Sequence, residues 1–292
     1  DRSINAYRGC EHGCIYCFAR PTHAYLDLSP GLDFESKLFA KPNAAKLLAE
    51  TLAKPGYQPR PIAMGTNTDP YQPIEARYRI TRQVLEVCLD ARHPVTITTK
   101  SDRVLADLDV IEEMARKNLI AVAISVTSLD PRLSATIEPR APSPAKRLAA
   151  LGRLVAAGVP THCSIAPVIP AITDDAMEAI IARAAELGVT SAGWIPLRLP
   201  HEVAPLFREW LATHFPERKD KVMSIVRSIR NGKDNDPDFF SRLKPTGVWA
   251  DLFRARFRIA CKRAGIGDGK AKFILDCSGF RPPMVGGQMR LL

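Results

Sequence analysis

No stretch of eighteen apolar residues occurs in the 292-residue sequence, so no helix is expected to cross a membrane. No apolar leader of the secretory kind opens it. Cysteine is too sparse for a disulfide framework, because there are seven, an odd number, and only three lie close together. A reducing, cytoplasmic setting is the expectation. The glycine cluster Gly265-Ile-Gly-Asp-Gly269 lacks phosphate-loop spacing and follows a helical pattern, so it reads as a turn. Acidic residues are outnumbered, giving a formal charge of +10, and the excess is uneven: residues 201–292 hold 18 Lys and Arg against 10 Asp and Glu. A basic last third fits an anionic partner such as nucleic acid, or a solvated basic surface with no ligand.

What is present is an ordinary globular composition, 46% hydrophobic and 25% charged, enough to bury a large core. Short β-branched runs alternate with longer helical patterns, the mark of strand-helix units around a parallel sheet. Strands are expected at 3–8, 61–66, 94–99, 120–126, 161–167 and 193–197. Helices are expected at 44–53, 81–91, 104–117, 145–157, 175–187 and 202–214, with Gly158 and Gly188 at helix C-caps. The fold class is therefore α/β, a partial (β/α)6 TIM-like barrel with a mainly helical C-terminal extension. Residues 1–200 form the core and residues 201–292 the basic extension, with helices at 221–229 and 248–264 and a short strand at 272–275. In barrels of this kind the chemistry sits on loops after the C-terminal strand ends.

The loop after the first strand carries Cys10-Glu-His-Gly-Cys14-Ile-Tyr-Cys17. Three close thiolates can hold an iron-sulfur cluster while leaving one iron without a protein ligand. Clusters that only pass electrons close the site with a fourth cysteine, and structural zinc wants four ligands, usually as two distant pairs. A zinc site completed by His12 stays open as an alternative, as do unrelated thiols on an exposed loop.

The CxxxCxxC pattern with Tyr16 before its last cysteine resembles the signature of the radical S-adenosylmethionine (radical SAM) superfamily. Residues 3–200 as a whole resemble the core of its spore photoproduct lyase-like branch. The resemblance implies a 4Fe-4S cluster on Cys10, Cys14 and Cys17, with S-adenosylmethionine chelated at the open iron. It implies reductive cleavage to a 5'-deoxyadenosyl radical that abstracts hydrogen from a substrate, and a reducing partner such as flavodoxin or ferredoxin. It further implies that Gly65, Thr66, Asn67 and Thr68 meet the methionine amino group, Lys100 the carboxylate, and Ser125 the carboxylate or ribose. Glu138 and Arg140 match a charged pair at the cofactor's polar end, while Ala166 and the backbone of Tyr16 lie against adenine.

The likeness has a gap. A photoproduct lyase returns hydrogen from a cysteine at the end of its second strand, where this chain has Thr66 or a neighbour, and a hydroxyl cannot replace a thiol in that step. Cys163 and Cys277 are the remaining candidate hydrogen donors, with Cys88 and Cys261 expected to be inert. On the C-terminal helix Arg254, Arg258 and Lys262 recur at four-residue spacing, a stripe that could track phosphates of a nucleic acid. A radical enzyme acting on a large, nucleic-acid-like substrate leads. A peptide-modifying maturase and a non-catalytic zinc or nucleic-acid-binding protein are the alternatives.

Overall fold

The computed structural model describes residues 2–238, 240–269 and 273–284. β1 (Arg2–Ile4) and β2 (Tyr7–Arg8) lead into the cysteine loop, followed by a 3-10 helix (Arg20–Leu26), α1 (Asp33–Ser36) and β3 (Phe39–Ala40). Strand-helix units then run through α2 (Ala44–Leu52), β4 (Ile62–Met64), α3 (Glu75–Tyr78), α4 (Ile80–Asp90), β5 (Val95–Thr99), α5 (Leu108–Arg116) and β6 (Ile120–Ser125). They continue through α6 (Pro131–Ile137), α7 (Pro144–Ala156), β7 (Thr161–Val168), α8 (Met177–Glu186), β8 (Ser191–Pro196) and α9 (Val203–His214), before α10 (Lys219–Ser228) and α11 (Val248–Ala264).

Six strands form one parallel sheet in the order β1-β4-β5-β6-β7-β8, while β2 and β3 pair separately and antiparallel. The α/β partial-barrel expectation is met. Among the described residues no strand joins β8 to β1, so the barrel is open along that side.

Side chains alternate along each strand. Val95, Ile97, Val122, Ile124, Cys163 and Ile165 are buried in the main core with the helices. The intervening positions, Thr96, Thr98, Ala121, Ala123, His162 and Ser164, are small or polar and belong to the concave face. A closed barrel fills that face with bulky branched residues. Here it is left as space.

The strand expected at 3–8 is split. Asn5 leaves the sheet, its Oδ1 accepting the backbone N–H groups of Asn67 and Thr68 at 3.0 and 3.4 Å, and β2 turns to β3 instead. The helix expected at 104–117 begins as a 3-10 turn (Asp102–Asp107), capped by Ser101, whose hydroxyl accepts from Arg103 N. The segment at 265–269, expected to be a turn, also adds to the free edge of β8: Gly267 N donates to Thr190 O, and Ala192 N to Gly267 O. Of the strand expected at 272–275, residue 272 lies outside the described residues, and 273–275 form no strand.

The basic last third is joined closely to the barrel. Trp194 on β8 faces Phe253 on α11 with ring centroids 4.6 Å apart, and Phe253, Phe257, Ala260 and Cys261 are buried in the same core as the sheet. A second core joins Cys14 and Tyr16 of the cysteine loop to Phe207 and Trp210 of α9 and Val222 of α10. Among the described residues no helix is long and apolar enough to cross a membrane.

Candidate active site at the barrel mouth

The cysteine loop is fixed from below by a buried arginine. Arg20, 1% exposed, donates through Nε to Cys14 O (2.9 Å) and through its terminal nitrogens to the carbonyls of Gly13, Pro30 and Gly31, and it pairs with Glu35. Glu35 also holds Arg140 at 2.6 Å. Gly13 sits at φ +67°, a left-handed conformation that favours glycine, and a Cβ there would fall 2.8 Å from Glu35 Oε2 and displace this carboxylate. From the β4 side, Gln72 accepts from Glu11 N at 2.9 Å and donates to Gly9 O at 3.1 Å.

Above the strand ends lies a cavity of about 440 Å³, lined by all three loop cysteines together with Tyr16, Gly65, Thr66, Asn67, Thr68, Lys100, Ser125 and Ala166. The turn 65–69 that forms one wall is locked by Asp69. Its carboxylate accepts Thr99 Oγ1 at 2.6 Å, Lys100 N at 2.8 Å and Tyr71 N at 2.9 Å, and faces His12 Nδ1 at 3.4 Å. Burial pushes the Asp69 carboxyl up, but His12 and these hydrogen bonds outweigh it and hold the pKa at about 2. Gly65 has φ +82° and a Cβ there would lie 1.9 Å from Thr98 O. That approach of β4 to β5 excludes every side chain.

Lys100 closes β5 and turns into the cavity, its ammonium 5.8 Å from the centroid of the Tyr16 ring and without an ion pair among the described residues. Burial disfavours its charge, yet Cys14 and Glu138 nearby raise its pKa. The Tyr16 hydroxyl donates to Glu138, which also accepts from Thr127 (2.8 Å) and pairs with Arg147 at 2.5 Å. Glu138 and Arg147 are both fully enclosed. Burial works against the carboxylate, and Arg147 followed by Lys100 brings its pKa below the ordinary glutamate value.

Four expected residues sit elsewhere. Glu138 and Arg140 do not form a pair and do not line the cavity: Glu138 lies behind Tyr16 with Arg147, and Arg140 braces the cysteine loop. Cys163 and Cys277, the expected hydrogen donors, do not reach the cavity either. Cys163 has odd parity on β7 and faces the helix layer, fully buried, whereas Ser164 and Ala166 face inward. Cys277 lies at the opposite end of the barrel, where Asp276 N bonds Asn118 O ahead of β6 and Arg281 N bonds Ala91 O ahead of β5. The stripe on α11 is on the outer layer: Arg254 is held by Asp251 and by Pro245 O, and Arg258 and Lys262 are exposed. Trp194 faces α11 rather than the cavity.

Sequence reading missed several residues of the wall, among them Phe18, Ser164, Arg198 and Arg242, and read His12 only as an alternative zinc ligand. Ser164 adjoins residues that were legible. Arg198 and Arg242 come from distant segments with no pattern to connect them.

The donor set fits an iron-sulfur cluster. The three cysteines are free, and Cys10 and Cys14 are buried; burial and then the Asp69 charge push the Cys10 thiol up, while burial raises Cys14 to about 12 and Cys17 as well, against the lowering charge of Lys100. Thiols so placed ionise only against strong local positive charge, which soft iron-sulfur ligation supplies. Among the described residues no three His, Cys, Asp or Glu side chains are gathered to hold a single metal ion. A multi-iron cube spreads its sulfur ligands over a wider span than one ion does.

The sequence profile of the radical SAM superfamily matches residues 4–184. An uncharacterised protein of Mycobacterium tuberculosis is 37% identical over 227 residues, covering 77% of this chain and 67% of the relative. Another, from Methanocaldococcus jannaschii, is 32% identical over 171 residues, covering 59% and 61%. Among solved structures, a cysteine-to-serine variant of spore photoproduct lyase superposes with TM-score 0.65 at 14% identity, covering 91% of this chain and 75% of that one. Streptococcus suis SuiB bound to S-adenosylmethionine gives 0.53 at 13% identity, covering 89% and 46%. At such identity these structures speak for the fold.

Proposed function

The chain belongs to the radical SAM superfamily, whose cofactors are a 4Fe-4S cluster and S-adenosylmethionine, and we propose that it generates a substrate radical at the open side of its partial barrel. Cys10, Cys14 and Cys17 would hold the cluster, and Gly65 to Thr68, Lys100, Ser125, Tyr16 and Ala166 would receive S-adenosylmethionine. When bound, the pair supplies an electron to a carbon-sulfur bond and, from it, a carbon radical that removes hydrogen from an unactivated carbon.

The protein's part is placement. Lys100 offers an ammonium to a carboxylate, while Asp69 holds in place the turn at 65–69 that lines the cavity where an amino group would be received. The second core packs behind the loop and keeps water from the cysteines. The small residues of the concave face leave room for the reacting carbon beside the cofactor. A nucleic acid is the substrate class that the basic last third favours. A peptide-modifying role has less support, since Cys261 lies against the outer face of the sheet and Cys277 beneath it, too divided to gather a second cluster.

The observation that carries this reading is one cavity holding three cysteines, an ammonium without a carboxylate partner and a hydroxyl-rich turn. Anaerobically reconstituted protein, reduced in the presence of S-adenosylmethionine, should release 5'-deoxyadenosine. Serine at Cys10, Cys14 or Cys17 should abolish it. Product persisting in all three variants would refute the assignment.

A further inference from the structure

Three arginines gather at the cavity, two of them in its lining. Arg198 follows β8, and Arg242 lies on the loop after α10; both line the cavity. Arg230, at the end of α10 and only 5% exposed, ties the two segments together: it donates to Arg242 O at 3.2 Å and to Leu197 O. Its Nε is buried with no hydrogen-bond partner. All three lie beyond residues 4–184, outside the core shared by the superfamily.

Among the described residues neither Arg198 nor Arg230 forms an ion pair. Asp236 is near enough to support the charge of Arg230, but its carboxylate also accepts from Ser241 Oγ at 2.6 Å, and Asp238 from Phe240 N at 2.8 Å. Burial, and then the charge of Arg242, lowers the pKa of Arg198; burial and Arg198 lower that of Arg230 to about 10. Arg198 and Arg242 are half-buried, and crowding cations in partly desolvated surroundings is unfavourable unless an anion joins them. Guanidinium forks match phosphate oxygens two at a time, and a multiply charged or bridging oxyanion suits several of them better than a single carboxylate does. The Arg198 guanidinium also lies 4.7 Å from the centroid of the Phe18 ring, which is 42% exposed at the same opening. A flat ring beside arginine is a stacking surface for a planar group attached to that oxyanion.

Resting on the function proposed above, we infer that Arg198 and Arg242, held in place by Arg230, grip a phosphate ester of the substrate while its reacting carbon lies deeper in the cavity. The ester belongs either to a small nucleotide-like molecule or to a nucleic-acid strand.

The test is binding to the full chain with its cluster reconstituted, using thymidine 5'-monophosphate and a labelled single-stranded oligonucleotide as probes. Arg198→Gln with Arg242→Gln should weaken whichever probe binds tenfold or more, with cluster absorbance and thermal midpoint unchanged. Equal binding of both probes identifies the small ester. Binding of the oligonucleotide alone, with a salt slope that falls by about 1.4 in the double variant, identifies the strand. The inference is overturned if neither probe binds, if the double variant binds like wild type, if Arg258→Gln with Lys262→Gln carries the loss instead, or if S-adenosylmethionine displaces the probe. Because binding is read without turnover, a protein that grips phosphate esters but releases no 5'-deoxyadenosine would sink the enzymatic reading alone. The converse result would sink only the grip.

Discussion

Behind the cavity, Glu138 and Arg147 are enclosed 2.5 Å apart, and Ser125 and Pro142 give their carbonyls to the same guanidinium. Removing one partner strands the other charge, so Arg147→Met should cost about 3–5 kcal/mol in urea unfolding. Adding Glu138→Gln to it should restore part of the loss. The pH dependence follows the depressed pKa of Glu138: its contribution is present above the ordinary glutamate value of about 4.3 and fades as pH falls through the lower folded value. Arg147→Met should therefore flatten the acid limb of a stability profile. The sequence singled out Glu138 but joined it to Arg140 rather than to Arg147. Arg140 stands two residues away and Arg147 nine, and spacing cannot tell which arginine the turn into α7 brings back beneath β6.

At the scale of elements, α11 is a wall of the barrel. Phe253 is 1% exposed between Trp194 and Trp249, and its truncation in Phe253→Ala should cost about 3–5 kcal/mol in the same assay. The ion pair of Arg256 with Glu178 on α8 also joins α11 to the barrel, but the glutamate is 45% exposed, so Glu178→Gln should cost under about 1 kcal/mol. Equal effects would mean that charge, not packing, holds this helix. Helices such as α4, α7 and α11 were legible to within a residue or two because apolar positions repeat along them. The four-residue α1 and α3 were not: one turn of helix repeats nothing. The break between β1 and β2 was hidden for another reason, since Asn5 leaves the sheet to serve a turn sixty residues later.

For the molecule as a whole, the cavity beside the cysteines joins the first strands to the last third of the chain, so what binds there should stabilise the whole fold. S-adenosylmethionine at a hundred times its Kd should add about 2.7 kcal/mol, visible as a rise in thermal midpoint of the cluster-loaded protein. Lys100→Met should move that rise to higher concentration; an unchanged response would take Lys100 out of the binding set. Six strands in sequence order and a cysteine loop at their catalytic end could be read from the residues alone. The arginine rim could not, because positions 198, 230 and 242 meet only through the fold. Among the described residues no strand closes the gap between β1 and β8, and beyond the bridge at Gly267 this opening carries a final consequence. A ring must be entered by a free end, but a trough with a missing stave can be approached from the flank, so a molecule far longer than the cavity can present an internal unit for reaction without being cut or threaded.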